Sequence, residues 1–240
     1  MFETMFRSNE ICLLCAAAIK NEITWKALLK QEECVLCKEC EGKLEKIEGD
    51  TCIACSRPFD GLSPDFQIGE LCYDCVRWNG DPEWNGYLSK NISLYSYNDF
   101  LKETIAKFKY RGDYAISKAF AQQISQRLFK LEFDIAVPIP LSGERLQERG
   151  FNQSEALIRS AGLMPVEVLS RLHTEKQSKK SRHERISLQQ VFQVEKPELI
   201  QDKKLLIIDD IYTTGSTLRH AAKVLIESGA GQVISFTVAR

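Results

Sequence analysis

From residue 91 onward, short β-like runs alternate with stretches in which apolar side chains return every three or four positions. Ile92-Ser93-Leu94-Tyr95 alternates as a strand does. Phe100, Leu101, Ile105 and Phe108 then fall near helical spacing, as do Ile116, Phe120, Ile124 and Leu128 behind a candidate cap at Asp113. DIAVPIP at 134–140 predicts a strand, and a helix is expected from about Gly143 to Ala161. The runs VEVL (166–169) and VFQV (191–194) flank a polar loop, and the strand KKLLIID (203–209), a helix and the strand QVISFTVA (232–239) complete the pattern. Strands alternating with helices predict an α/β domain with a mainly parallel sheet flanked by helices.

Within that frame, Leu205 to Ile208 is continuously apolar, as in a strand buried on both faces. Leu218, Ala221, Ala222 and Leu225 share one helical face, with Gly229 placed to end the helix. Asp209, Asp210 and the segment Thr213-Thr214-Gly215-Ser216-Thr217 therefore fall in a strand-to-helix turn at the carboxyl edge of the sheet, where open α/β folds bind ligands. Backbone N–H groups and hydroxyls at a helix N-terminus suit a phosphate, and Gly215 permits close approach of the backbone. Two carboxylates accept hydrogen bonds from vicinal hydroxyls or help place a divalent cation. A sugar phosphate meets all these requirements. An ordinary turn with a Ser/Thr cap accounts for the hydroxyls but not for adjacent acids ending a buried strand. The glycine pattern matches neither a Walker loop nor Gly-x-Gly-x-x-Gly.

The first third of the chain has a different character. All nine cysteines lie between Cys12 and Cys75, and none occurs in the remaining 165 residues. Residues 1–80 carry 9 Lys/Arg and 14 Asp/Glu (-5), whereas residues 81–240 carry 23 and 19 (+4). Two domains are expected, a Cys-rich one over 1–88 and the α/β domain over 89–240. The overall composition is 44% hydrophobic and 27% charged, and a net charge of -1 by itself implies neither a nucleic-acid nor a membrane partner. The longest apolar run, Ile11 to Ile19, is too short for a bilayer, and no basic segment precedes it, so a cytoplasmic protein is expected. Thiols stay reduced there, and clustered cysteines read as metal ligands before disulfides.

Four Cys-x-x-Cys pairs can be drawn: Cys12/Cys15, Cys37/Cys40, Cys52/Cys55 and Cys72/Cys75. Two such pairs complete a tetrahedral structural zinc site. Sixteen residues separate the last two pairs, within the usual spacing of a four-cysteine site. Cys34, Cys37 and Cys40 offer overlapping pairs for the other site, and spacing alone slightly favours Cys34/Cys37. A redox role or buried free thiols are the alternatives, but a thioredoxin-like pair needs a βαβ setting that this turn-rich stretch lacks. Nucleic-acid binding by the ribbon runs against its charge, which all-thiolate sites make more negative. Trp78, Trp84 and Tyr87 mark either interdomain packing or a partner surface, with packing preferred.

Hydrophobic strand, acid pair and small hydroxyl loop, in that order, resemble the phosphoribosyl pyrophosphate (PRPP) motif of type I phosphoribosyltransferases. More narrowly, the chain resembles the ComF/ComFC competence proteins over almost its whole length. The likeness rests on CLLC (12–15), LCKEC (36–40), CIAC (52–55), FKYRGD (108–113), VPIPLSGERLQERGFNQSEAL (137–157), EKQSKKSRHER (175–185) and IIDDIYTTGSTL (207–218). It implies a double zinc ribbon ahead of a phosphoribosyltransferase-like domain and puts Cys37/Cys40 ahead of Cys34/Cys37. It further implies that Asp209 and Asp210 hold the ribose hydroxyls of PRPP, directly or through water and Mg2+. Thr213 to Thr217 would cradle the 5-phosphate. The turn after VPIP matches the family's pyrophosphate loop, where Arg145 and Arg149 could neutralise the pyrophosphate; the alternative is a solvated helix pairing them with Glu144 and Glu148. Arg171 to Arg185, six Lys/Arg against two Glu, matches in position the flexible loop that closes over such sites. It could equally follow a nucleic-acid backbone or be a solvated run. His173, His183 and His220 have no metal-ligand company.

The function implied is uptake or processing of transforming DNA, with a ComFA-like DNA helicase and single-stranded DNA as partners. Any transferase chemistry would be displacement of pyrophosphate at the anomeric ribose carbon, with the acceptor open. Two alternatives stand beside it. One is a catalytically inactive, PRPP-responsive or scaffolding module. The other is a nucleobase-salvage transferase, for which the ribbon would have no use.

Overall fold

A computed structural model of the chain describes residues 11–19, 34–110, 112–172 and 191–240. The main sheet has four strands, β3 (Asn91–Tyr95), β4 (Ile135–Pro138), β7 (Lys204–Ile211) and β8 (Gln232–Ala239), all parallel and ordered β3-β8-β7-β4. The strand predicted over 232–239 is β8 from end to end. Leu205 to Ile208 are fully buried in β7, between helices on both faces of the sheet.

One face packs the strand residues Leu206, Ile208, Ile234 and Phe236 against α3 (Asp99–Tyr110), α4 (Ile116–Leu128) and α6 (Gln153–Ser160). The other packs Leu205, Ile207 and Val233 against Leu218, Ala221, Ala222 and Leu225 of α7 (Ser216–Glu227). The apolar face predicted for α7 is thus its buried face. Gly229, at φ 106, ends the helix as expected. The runs VEVL and VFQV form no strand of the main sheet, although Val166 N–H donates to Ala136 O at the edge of β4. Leu169 alone of the first enters β5 (Leu169–Arg171), which pairs antiparallel with β6 (Phe192–Val194) as a separate ribbon. Asp113 does not cap α4 with its side chain; its carbonyl accepts from Ile116 N–H and the cap position falls on Ala115.

The continuous helix expected from Gly143 to Ala161 is instead two helices, α5 (Gly143–Arg149) and α6. Gly150 adopts φ 78 and stops α5, and the Asn152 side chain then caps α6 by accepting from Ser154 N–H. Asn152 also donates to Ile139 O, which fixes the break against the end of β4. α5 buries no side chain and its one large apolar residue, Leu146, is exposed, so only α6 carries an apolar face. The local chemistry of Gly-Phe-Asn decides the outcome.

The Cys-rich segment adds α1 (Lys38–Lys43), the short pair β1 (Gln67–Ile68) and β2 (Leu71–Cys72), and α2 (Tyr73–Gly80). Asn91, Ser93, Ser235 and Thr237 are buried and bond to one another at 2.7–2.8 Å. This polar strip seats the ribbon: Asn91 N–H donates to Ala54 O and Ser56 Oγ donates to Asn91 O. Trp78, Trp84 and Tyr87 pack on α7 as preferred, with Trp84 4.5 Å from the His220 ring and Tyr87 Oη donating to Glu227.

Candidate functional site

At the carboxyl end of β7, Asp209 and Asp210 bring two carboxylates to one place. Successive strand side chains diverge, and the two acids accordingly have different partners. Asp209 Oδ1 accepts from Ser154 Oγ at 3.2 Å and from Asp210 N–H at 2.9 Å. Asp210 is buried, and its Oδ2 lies 2.6 Å from Lys109 Nζ of α3. Asp209 retains a partly exposed edge. Desolvation, reinforced by the neighbouring Asp210 charge, pushes its carboxyl up to about 7.

Beyond β7 the chain passes Tyr212, whose ring is buried, and enters the loop Thr213-Thr214-Gly215, from which α7 starts. Gly215 has φ 81, and a Cβ there would run into the Tyr212 hydroxyl. Gly215→Ala should therefore lower stability by roughly 1–3 kcal/mol, as a drop in the chemical-denaturation midpoint. An unchanged midpoint would show that the loop can adopt another path.

Arg149, half-buried at the end of α5, donates from Nη1 to Gln153 at 2.9 Å and lies 5.5 Å from the Tyr110 ring. Arg145 is exposed one turn earlier. Among the described residues neither forms an ion pair with Glu144 or Glu148, and α5 buries no side chain, so both readings of Arg145 stay open. Arg171 joins them: burial lowers its pKa first, then the field of Arg145, while Asp209 raises it. Arg145, Arg171 and Asp209 thus share one electrostatic environment. The rest of the basic stretch, with His173 and His183, lies outside the described residues.

Lys109 and Ser154 touch the acid pair yet carried no individual assignment from sequence. Both sit inside family-like stretches, FKYRGD and ERGFNQSEAL, which was the available signal. Nothing in the pattern of β7 could have named them, because each arrives from a different helix.

The cysteines form two groups. The sulfurs of Cys12, Cys15, Cys37 and Cys40 lie within 4.8 Å of one another, as do those of Cys52, Cys55, Cys72 and Cys75. A zinc ion with Zn–S of about 2.3 Å needs a sulfur tetrahedron with edges of about 3.8 Å. The Cys15–Cys37 and Cys55–Cys72 separations are 3.8 and 3.6 Å. Both donor sets fit zinc. Cys34 belongs to neither; it is exposed and its thiol donates to Leu36 O. The weak spacing preference for Cys34/Cys37 is corrected here, because Cys37 caps α1 and its first turn carries Cys40 back to the same point.

The family model "Phosphoribosyl transferase domain" matches residues 115–240. The chain is 41% identical over 236 residues to competence protein ComFC of Bacillus subtilis (strain 168), covering 96% of this chain and 95% of that one. It is 32% identical over 231 residues to competence protein ComFC of Streptococcus pneumoniae, covering 95% and 99%. Among solved structures it is similar to adenine phosphoribosyltransferase from Saccharomyces cerevisiae, at 18% identity and a TM-score of 0.35, covering 63% and 79%.

Proposed function

The chain belongs to the phosphoribosyl transferase domain family and, along nearly its full length, to the ComFC competence proteins, and from that premise we propose that the end of β7 binds PRPP. The protein is a competence protein with a phosphoribosyltransferase-type domain behind two cysteine centres. One observation carries the site assignment: a pair of acids closes a buried strand directly ahead of a left-handed glycine that opens a helix. The helix start and its hydroxyls suit the 5-phosphate, and the carboxylates suit the ribose hydroxyls.

In this reading Asp209 and Asp210 accept from those hydroxyls, and Thr213, Thr214, Gly215, Ser216 and Thr217 surround the 5-phosphate. Arg145 and Arg149 meet the pyrophosphate. Mg2+ would accompany PRPP and supply charge neutralisation when bound; the partly exposed Asp209 carboxylate fits a hard, oxygen-seeking cation, whereas Asp210 is paired with Lys109. Two zinc ions staple the segment 1–88, and residues 89–240 form the ligand-binding domain. The chemistry that these parts fit is loss of pyrophosphate from the anomeric carbon to an acceptor. DNA-related partners follow from the competence role, and we assign a ComFA-like helicase and single-stranded DNA to them. Among the described residues no helix is long and apolar enough to cross a membrane; we place the protein in the cytoplasm.

Calorimetric titration of Mg-PRPP tests the site. Saturable binding, one PRPP per chain, is expected, and its absence would overturn the assignment. Affinity should rise between pH 6.5 and 8, because a carboxyl titrating at about 7 becomes an acceptor-only, charge-assisted partner for sugar hydroxyls on losing its proton. The sign for folding is opposite. With the folded pKa above the unfolded one, the Asp209 contribution to stability is full below the unfolded pKa of about 4 and is lost as pH rises through about 7. Flat affinity across this range would remove Asp209 from the contact.

A further inference from the structure

The ribbon reaches the phosphate loop itself. The Cys52/Cys55/Cys72/Cys75 centre fixes α2 by its first turn, since Cys72 holds the N-cap position and Cys75 lies within that turn. Trp78 follows Cys75 by three residues, and its indole Nε1 donates to Thr214 O at 3.0 Å. The buried Arg219 guanidinium stacks 5.0 Å from the Trp78 ring and holds it there from α7. A second arm comes from Arg240, beyond β8. Its Nη2 donates to Cys55 Sγ at 3.3 Å, and its Nη1 donates to Thr213 O at 2.6 Å and Tyr212 O at 3.3 Å. Its guanidinium also lies 4.7 Å from the Tyr212 ring.

Three successive carbonyls, of Tyr212, Thr213 and Thr214, are therefore held from the ribbon side. Every described peptide bond here is trans. In a planar trans peptide the N–H of one residue points opposite to the carbonyl of the residue before it. Holding these carbonyls turns the N–H groups of Thr213, Thr214 and Gly215 the other way, out from the ribbon. Among the described residues nothing accepts from those three donors. A row of free, commonly oriented amides is what binds an anion.

We propose that Trp78 and Arg240 are positioning residues through which the Cys52/Cys55/Cys72/Cys75 centre sets the direction of the loop amides, and so its grip on phosphate. This deepens the PRPP reading and rests on it. The ribbon then has a use inside the ligand site in addition to any partner it meets. With zinc bound, Cys55 would be a thiolate and give the Arg240 arm a fixed charged anchor, and the first turn of α2 gives the other arm a fixed origin.

The test uses full-length, zinc-loaded protein carrying Trp78→Phe, which deletes one donor and keeps an aromatic ring, or Arg240→Met, which keeps bulk over Tyr212. Two quantities are read: the 15N order parameters of the Thr213, Thr214 and Gly215 amides without ligand, and Mg-PRPP affinity by calorimetry. Each variant should lower the order parameters from the rigid range of about 0.85 toward about 0.6 and weaken affinity about tenfold. Unchanged amide order would overturn the proposal whatever the affinity does. Loosened amides with wild-type affinity would also overturn it, because the grip would not depend on being held. If wild-type protein fails to bind PRPP while the variant amides loosen, the positioning stands and the ligand assignment falls.

Discussion

Asp209→Asn combined with Asp210→Asn is expected to abolish Mg-PRPP binding and the protein's contribution to transformation. Each carboxylate lost removes charge-assisted hydrogen bonds of about 1.5–3 kcal/mol. Two together amount to roughly a hundredfold or more in affinity. The single variants separate function from folding, because their effects on stability have opposite signs. Asp210→Asn strands the Lys109 ammonium, whose side chain is mostly buried and otherwise paired at 2.6 Å, and should destabilise the domain. Asp209→Asn relieves a carboxylate that burial and Asp210 both oppose, so at pH 8 it should raise the melting temperature of the free protein. A variant that melts higher and binds nothing would be a site residue held at a cost to the fold. Asp209→Asn with unchanged affinity and a lower melting temperature would make this carboxylate structural. Normal transformation by the double variant, despite lost binding, would detach PRPP from the biological role.

Much of the domain could be read from periodicity because its parts are simple. Leu205 to Ile208 of β7 are buried on both faces and so appear as an unbroken apolar run, β8 is apolar apart from the buried Ser235 and Thr237, and α7 carries one narrow apolar face. The acid pair was legible because nothing about a strand core calls for Asp209 and Asp210. What escaped the pattern depends on residues that meet only in space. The split of the helix after Arg149 was written in Gly150 and Asn152, but the polar stretch 143–149 carries no apolar period whose end could mark it. Lys109 and Ser154 reach the acids from α3 and α6, and no spacing along the chain connects 109, 154 and 209. Arg219 falls on the buried side of α7 and reads as a fault in an apolar face until Trp78 covers it. The choice of Cys37/Cys40 turned on α1, whose six residues are too short to signal by period. There the family resemblance succeeded where counting residues between cysteines did not.

Removal of metal should have a large effect on the fold, and it should extend beyond the ribbon. Purified protein is expected to hold about two zinc ions per chain, matching the two four-sulfur groups. Each such site supplies on the order of 10–16 kcal/mol of apparent binding free energy, whereas whole domains are stable by about 5–15 kcal/mol. The metal-free segment has little else to hold it, since its helices run six and eight residues. Its sulfurs are also part of the larger core. Cys12 and Cys40 pack in the cluster of Ile92, Leu206 and Phe236, and Cys52, Cys55, Cys72 and Cys75 pack in that of Ile207, Tyr212 and Leu218. Chelation should therefore expose Trp78 and Trp84, shift their fluorescence, and lower the melting temperature of the whole chain. Acidification should do the same, because thiolates must take up protons as the ion leaves. A protein that contains almost no zinc and melts unchanged in chelator would remove the metal from the account and leave eight free thiols, six of them packed as plain core. Loss of the ribbon with an unshifted domain transition would confine the metal's effect to residues before the sheet and would weaken the coupling between Cys55, Arg240 and the phosphate loop.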